Sequence, residues 1–443
     1  MRPLVVGGGG REHCIVKALE RSGADIYAVS GNKNPGIART AKEFYLHDLM
    51  DVKGTVYWAN SKAIDLAVIG PEAPLGAGIV DALTTAGIPA FGPTKAAAQI
   101  ETSKEFARNL MREFKVPGLI DYWAFGDLNG FRDWVKGCDF EFVIKPVGLT
   151  GGKGVRVWGD HFNSKAEATA YVEEIVRTKI GGSTRFLVEE KAVGEEFSLQ
   201  VFSDGKDIVP TPLAQDHKRA YEGDKGPNTG GMGSYSDADH LLPFVTKTEF
   251  ESALDIMRKT VRAMDRNGTP FKGCLYGGFI NTAKGPKVIE FNSRFADPEC
   301  MNVLPIMESD FASFCEGAAG GRLPATAKFA RKATVCKYVV PQGYGTKPLA
   351  GRPIEVDEAA ISKAGAELFW ASVDERDRGI VTSTSRSLAI VGIGDTLERA
   401  ERVTEEALLH VRGDVYVRHD IGKKDVVMRR VKHMEAVKKA RKT

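Results

Sequence analysis

No cysteine pair in this sequence has the spacing of a metal or redox motif. The six cysteines (Cys14, Cys138, Cys274, Cys300, Cys315 and Cys336) are scattered, with no Cys-x-x-Cys and no histidine cluster beside them. That argues against a zinc site and a disulfide framework and leaves buried thiols as the reading. No apolar run approaches the roughly 18 residues of a membrane span. The start, MRPLVVGGGG, runs directly into a strand and a glycine turn rather than a secretory leader. A cytoplasmic protein without membrane contact is expected. No aromatic-rich basic surface points to nucleic acid. Charge is concentrated at the C-terminus, where Lys423 to Thr443 hold nine Lys and Arg against Asp425 and Glu435, a local +7 in a chain of net charge +3, so the remainder is at −4. Val427, Val431 and Met434 fall on one side of a helix there, so residues 426–443 are expected to form an amphipathic helix with a solvated basic face.

What is present is enough apolar material, 43% of 443 residues, for two to four cored domains. Through residue 101, short apolar strands (PLVVG, DIYAVSG, DLAVIG, IPAFG) alternate with helical stretches, the pattern of a doubly wound parallel sheet whose ligands sit at the strands' carboxyl ends. The helix TSKEFARNLMREFK then opens an α+β region over 102–325, with a flap subdomain near 121–192. TVCKYVVPQGY, AELFWASV and LAIVGIGD with one helix predict a small α/β domain over 326–425.

Two glycine runs invite nucleotide readings. The dinucleotide fingerprint needs Gly at i, i+2 and i+5, but counting from Gly7 or Gly8 the third position is Glu12 or His13, and the second strand ends Val29-Ser30-Gly31 without an acid. A nicotinamide cofactor is disfavoured. Four glycines at a helix start followed by Arg11 can still hold a phosphate; a plain tight turn is the alternative. In VIKPVGLTGGKGVRVW, Gly148 and Gly152 are too close for a Walker loop and Lys153 precedes Gly154. This loop joins two strands, so a flap that folds its amides and Lys153 over phosphates fits better. Lys145 lies on the strand entering it, and Lys104 can reach the same phosphates. Downstream, FLVEEKAVGEEF makes two strands joined at Lys191 to Gly194, a hinge whose backbone can read an adenine edge, with Glu190 suited to the exocyclic amine and Glu196 to ribose hydroxyls. Finally, in KVIEFNSRFADPE, strand alternation puts Glu290, Asn292 and Arg294 on one face and Ile289, Phe291 and Ser293 on the other.

This ordered set of lysine strand, flap, hinge (Glu189 to Glu196) and Glu-x-Asn strand resembles the ATP-grasp fold. More narrowly, GGREH, GPEAPL, QDHKRAYEGDKGPNTGGMG and EFNSRFADPE resemble the phosphoribosylamine–glycine ligase family over nearly the whole chain. The family usually has Asn at Gly8, a small residue and Asp at Pro146 and Val147, Gly at Ala296 and a glycine pair near Thr384 and Ser385. The resemblance implies an α/β and α+β multidomain protein with a central ATP-grasp domain. The implied reaction joins glycine to 5-phosphoribosylamine through a glycyl phosphate, giving glycinamide ribonucleotide, ADP and phosphate, the second step of de novo purine synthesis. It implies ATP contacts at Lys104, Lys145, Gly151, Gly152, Lys153, Glu189, Glu190, Lys191, Val193 and Glu196.

Mg²⁺, or Mn²⁺, prefers hard oxygens and often takes only one or two from protein, so Glu290 and Asn292 are the expected ligands with phosphate and water completing the shell. Phosphoryl transfer needs positioning and charge neutralisation rather than a protein nucleophile, and catalysis is expected to fall to Lys153, Arg294 and Asp297. Arg294 is expected to hold the transferred phosphoryl group or the glycine carboxylate. Asp297 is expected to meet glycine's ammonium, or else caps the turn before Pro298. QDHKRAYEGDKGPNTGGMG is read as a mobile loop offering Asp216, Lys218 and Asn228 to the second substrate, whose phosphate falls to Gly9, Gly10 and Arg11. The expected partners are small molecules alone, on a monomer or dimer. Two rivals remain open: another ATP-grasp ligase or carboxylase, and a non-catalytic ATP-binding sensor.

Overall fold

The computed structural model describes residues 1–150, 154–377 and 379–440, so Gly151, Gly152 and Lys153 of the expected flap lie outside the described residues. At the N-terminus, Pro3–Val6 is the centre of a five-stranded, all-parallel sheet. Tyr27–Ser30 and Glu43–Leu46 lie on one side of it, and Leu66–Ile69 and Ala90–Phe91 on the other. Leu4, Val5 and Val6 are wholly buried, as expected of a strand covered on both faces. The strand order reverses direction beside Pro3–Val6, which places the glycine turn and the Gly70–Glu72 turn together at the switch point. This is the doubly wound sheet the sequence predicts.

Two antiparallel four-stranded sheets follow. One runs Tyr122–Phe125, Phe186–Glu190, Phe142–Pro146, Arg156–Val157 and has its own aromatic core around Phe131, Phe142 and Phe186. The other runs Ile208–Pro210, Gly194–Asp204, Lys272–Thr282, Gly285–Asn292 and packs on the long helix Lys247–Arg266. The space between these sheets is the cleft described below.

The third region departs from expectation. Its six-stranded sheet contains Ala333–Pro341, Leu388–Gly394, Ala366–Trp370 and Val415–Val417, but also Gln215–Asp216 and Gly233–Ser236. The segment expected to be a mobile loop is therefore tied into the C-terminal sheet at both ends, and between them Arg219–Tyr221 pairs with Lys225–Asn228 as a hairpin. Its polar, glycine-rich composition conceals these strands, although Met232 and Tyr235 at its far end enter the apolar core. No helix among the described residues is long and apolar enough to cross a membrane.

The N-terminal helix Gly10–Arg21 docks on the C-terminal sheet through His13, whose Nδ1 accepts from the Trp370 amide at 2.8 Å. Burial, aided by Lys17 and Arg39, pushes the imidazole down to about 3 from an ordinary 6.5. Between those values the unfolded chain binds a proton that the folded chain refuses, so this residue's contribution is lost as pH falls below 6.5. Urea unfolding at pH 7 and pH 5 should show wild type losing about 2 kcal/mol more than His13→Gln on acidification. Equal losses in the two proteins would contradict this.

Candidate active site

The floor of the cleft is the strand Gly285–Asn292, and its alternation is broken. Gly278 of the neighbouring strand faces Glu290 while Phe279 faces Val288, leaving Ile289 unpaired as a bulge. Val288 and Phe291 consequently both enter the core, three positions apart, and Ile289 joins Glu290 and Asn292 along the cleft instead of facing away. Two cations capture the displaced backbone. Arg108 donates to the carbonyls of Val288 (3.2 Å) and Ile289 (2.6 Å), and Lys145 donates to Ile289 at 3.1 Å. Glu189 holds both cations, at 2.8 Å from Arg108 and 2.6 Å from Lys145. Burial would raise Glu189, but Arg108 and Lys145 prevail and keep it below the ordinary carboxylate range.

Glu290 projects from this floor. Burial opposes its charge, yet Lys218, Lys104, Lys145 and Arg294 together hold it below its ordinary value, so it is a hard, ionised oxygen donor. Lys104, which burial pushes down, donates to the Gly148 carbonyl at 2.9 Å at the flap's entrance. Asn292, oriented by its hydrogen bonds, donates to Glu101 at 3.1 Å and to its neighbour Phe291 at 3.0 Å, which reserves the carboxamide nitrogen and leaves its oxygen for a ligand. No cluster of three His, Cys, Asp or Glu able to hold a metal exists among the described residues. The pair fits a hard divalent ion that brings phosphate oxygens with it, and does not fit a protein-only cage.

Glu101 organises the next turn. It accepts from the Ser293 amide (2.7 Å) and hydroxyl (2.8 Å) and from Arg294 at 2.8 Å. Arg294 also reaches Glu72 at 3.4 Å, and its charge holds Glu72 at about 2, while burial pushes Glu101 up. Asp297 is committed as well: Tyr338 donates to Oδ1 at 2.5 Å and Arg386 pairs with Oδ2 at 2.9 Å. Arg386 further donates to the carbonyls of Gly230 (2.6 Å) and Gly231 (3.0 Å). Gly231 has φ +105°, and a Cβ there would fall 2.6 Å from Pro298 and 2.7 Å from Asp216, so the second glycine of GPNTGGMG is a requirement of close approach. Asp216 itself has a buried Oδ1 without a hydrogen-bond partner among the described residues. Burial and the nearby Glu299 push its pKa well up.

Lys104, Glu101, Asp216, Glu290, Asn292, Arg294 and Asp297 line one cleft of about 1090 Å³, with Arg11 and Glu72 on the N-terminal wall and Arg386 on the C-terminal wall. The profile of the phosphoribosylglycinamide synthetase N domain matches residues 1–101, that of the ATP-grasp (A) domain 102–300 and that of the C domain 334–424. The chain belongs to the phosphoribosylglycinamide synthetase family. It is 50% identical over 435 residues to the phosphoribosylamine–glycine ligase of Methanothermobacter thermautotrophicus, covering 98% of this chain and 99% of that one. It is 48% identical to the enzyme of the same name from Thermococcus kodakarensis, over 99% of this chain and all of that one. The crystal structure of phosphoribosylamine–glycine ligase from Thermotoga maritima superposes with a TM-score of 0.82 at 26% identity, over 95% of this chain and 100% of that one.

Against this family frame, the expected site residues divide. Lys104, Lys145, Glu196, Asp216, Lys218 and Asn228 come together in the cleft with Glu290, Asn292, Arg294, Asp297 and Arg11. Glu189 lies behind it as the anchor of Lys145. Glu190, Lys191 and Val193 fall outside the lining, and the Lys191 amide donates to the Glu141 carbonyl at 2.9 Å. At the glycine turn, the Glu12 carboxylate already accepts from Gly9 at 2.6 Å, and Arg11 is held by Glu12 at 2.6 Å and by the Phe295 carbonyl at 3.1 Å. Gly9 and Arg11 are thus already paired within the chain, as Arg294 and Asp297 are. A Cβ on Gly10 would lie 2.5 Å from the Tyr338 hydroxyl, so glycine there also serves close approach.

Sequence reasoning missed Arg108, Glu101, Tyr338 and Arg386. Only Arg108 left a signal, as a charge on the helix face that buries Ala107, Leu110 and Met111. Replacing Glu189 with Gln leaves Arg108 and Lys145 without their counter-charge inside the protein. Denaturant unfolding should show a loss of about 3–5 kcal/mol, the usual consequence of breaking a buried charge cluster from one side. A loss below about 1 kcal/mol would mean the cluster behaves as a solvated surface pair.

Proposed function

We infer that this chain is an ADP-forming carbon–nitrogen ligase that joins glycine to 5-phosphoribosylamine and yields glycinamide ribonucleotide, ADP and phosphate. The observation that carries the reading is the ring of cations around Glu290, set in a cleft walled by all three family-matched segments. A carboxylate does not acylate an amine in neutral water because oxide is a poor leaving group. Transfer of the ATP γ-phosphoryl group to the glycine carboxylate makes glycyl phosphate and ADP. The phosphoribosylamine nitrogen then attacks the carbonyl carbon, the C–O bond to phosphate breaks, and the nitrogen gives up a proton.

Lys104 and Lys145 neutralise the nucleotide phosphates, together with Lys153 and the Gly151 and Gly152 amides of the flap. Glu196 receives ribose hydroxyls. Glu290 and Asn292 would hold Mg²⁺ or Mn²⁺, which would supply charge neutralisation to the phosphate groups. Arg294 and Asp297 are already paired, so they meet glycine as preset charges that exchange partners when it arrives. Asp216 is the open acceptor, and both substrates bring the N–H donors it lacks. Lys218 and Asn228 complete the side facing phosphoribosylamine. The same reading makes the protein a cytoplasmic enzyme, active as a monomer or dimer.

Coupled measurement of ADP release should show strict dependence on both glycine and phosphoribosylamine, and Glu290→Gln should lower kcat by about 100-fold or more with an unchanged circular dichroism spectrum. Release supported by bicarbonate in place of glycine would favour a carboxylase. A Glu290→Gln protein of wild-type rate, or nucleotide binding without turnover, would favour a sensor.

A further inference from the structure

The basic C-terminal helix takes no part in the reaction as written. It spans Lys424–Ala440, beginning where the C-domain profile ends at residue 424. Val427 and Met434 are buried in the core shared with Phe197 and Leu199 of the strand Gly194–Asp204, with Val431 packed against it. The helix therefore docks through one face, while Arg429, Lys432 and Lys439 lie on its exposed basic face as the sequence predicts. Other basic residues of the helix pair within the chain: Lys438 is 2.7 Å from Glu249 and His433 Nδ1 is 2.5 Å from Glu195.

Arg430 is the member with two partners on different elements. One guanidinium nitrogen lies 3.2 Å from Glu195, and the other pairs with Asp224. Glu195 directly precedes Glu196 on the strand that carries the expected ribose contact, and its side chain is only 7% exposed. Asp224 sits at the tip of the hairpin between Arg219–Tyr221 and Lys225–Asn228, where Arg418 also holds it at 3.1 Å. On the cleft side the same two segments meet again, through Glu196 and Lys218 at 2.8 Å. Arg430 and His433 themselves line the cleft.

We propose that Arg430 is a positioning residue that clamps the nucleotide strand to the substrate hairpin, so that the ATP end and the phosphoribosylamine end of the cleft are held in one geometry. The proposal rests on the ligase reading for its second substrate. A planar guanidinium can bridge two carboxylates at once, whereas an ammonium on a flexible stem bridges them poorly. Loss of the clamp lets strand and hairpin separate by fractions of an ångström, which is costly for a site that works by alignment.

The test compares wild type, R430A, R430K and K438A as full-length chains, by calorimetric titration of ADP and by steady-state kinetics. R430A should weaken ADP about tenfold and raise KM for both ATP and phosphoribosylamine more than it lowers kcat. R430K should recover part of that affinity, and K438A, on the same helix but paired away from the cleft, should leave ADP affinity unchanged. Wild-type ADP affinity in R430A would overturn the clamp, as would equal weakening in K438A, which would reduce the helix to general support. Should R430A fail to fold, R430K decides: a severalfold loss of ADP affinity supports the clamp and wild-type affinity overturns it. Failure of the wild type to form product from glycine and phosphoribosylamine would refute the ligase reading, while the ADP titration still judges the clamp.

Discussion

The structure turns on one buried carboxylate, Glu189, shared by Arg108 and Lys145. Those cations catch the carbonyls of Val288 and Ile289 where the strand bulges. The bulge sends Val288 and Phe291 into the core together and aims Glu290 into the cleft. A regular strand with the same residues would put Val288 on Glu290's side, and either an apolar group would face the ligands or the carboxylate would face the core. The charge cluster is expensive to bury, which is why both its cations also satisfy backbone acceptors that the bulge has freed.

The second organising feature is that the cleft's charges come from different parts of the chain and are matched before any ligand arrives. Arg294 is held by Glu72 and Glu101, and Asp297 by Tyr338 and Arg386. Pre-pairing fixes these side chains and compensates their buried charges. It also means that substrates must displace internal partners, as glycine would at Asp297, or find the few groups left open, such as Asp216. A site arranged in this way exchanges ion pairs on binding, so its walls need to be held in register. The C-terminal helix supplies part of that hold by reaching Glu195 and Asp224 from outside the family-matched segments.

Much of this was legible in the sequence where chemistry and spacing coincide. The parallel N-terminal sheet followed from its apolar strands and glycine turns, and the inward face of the last helix from Val427, Val431 and Met434. That Lys104, Lys145, Glu290 and Asn292 meet in one cleft was legible from their residue types and their order along the chain. What escaped was pairing at long range. Nothing local marks Glu101 as the partner of Arg294, or Tyr338 and Arg386 as partners of Asp297, because each contact joins residues 41 to 193 positions apart. The bulge escaped because it depends on Arg108 and Lys145 and not on a glycine or proline in the strand. The pairing of Gly9 and Arg11 with Glu12 escaped too, although all three lie in one motif.

If the Arg108–Glu189–Lys145 cluster sets the metal-binding face, then a residue that touches no ligand governs metal affinity. The direct measurement is Mn²⁺ binding, followed by electron paramagnetic resonance in the presence of saturating ADP, to wild type and to Arg108→Met, each shown to unfold cooperatively. The account predicts Mn²⁺ affinity at least about tenfold weaker in the variant, as is common when the support behind a metal ligand is removed. Mn²⁺ bound with wild-type affinity by a folded Arg108→Met protein would contradict it.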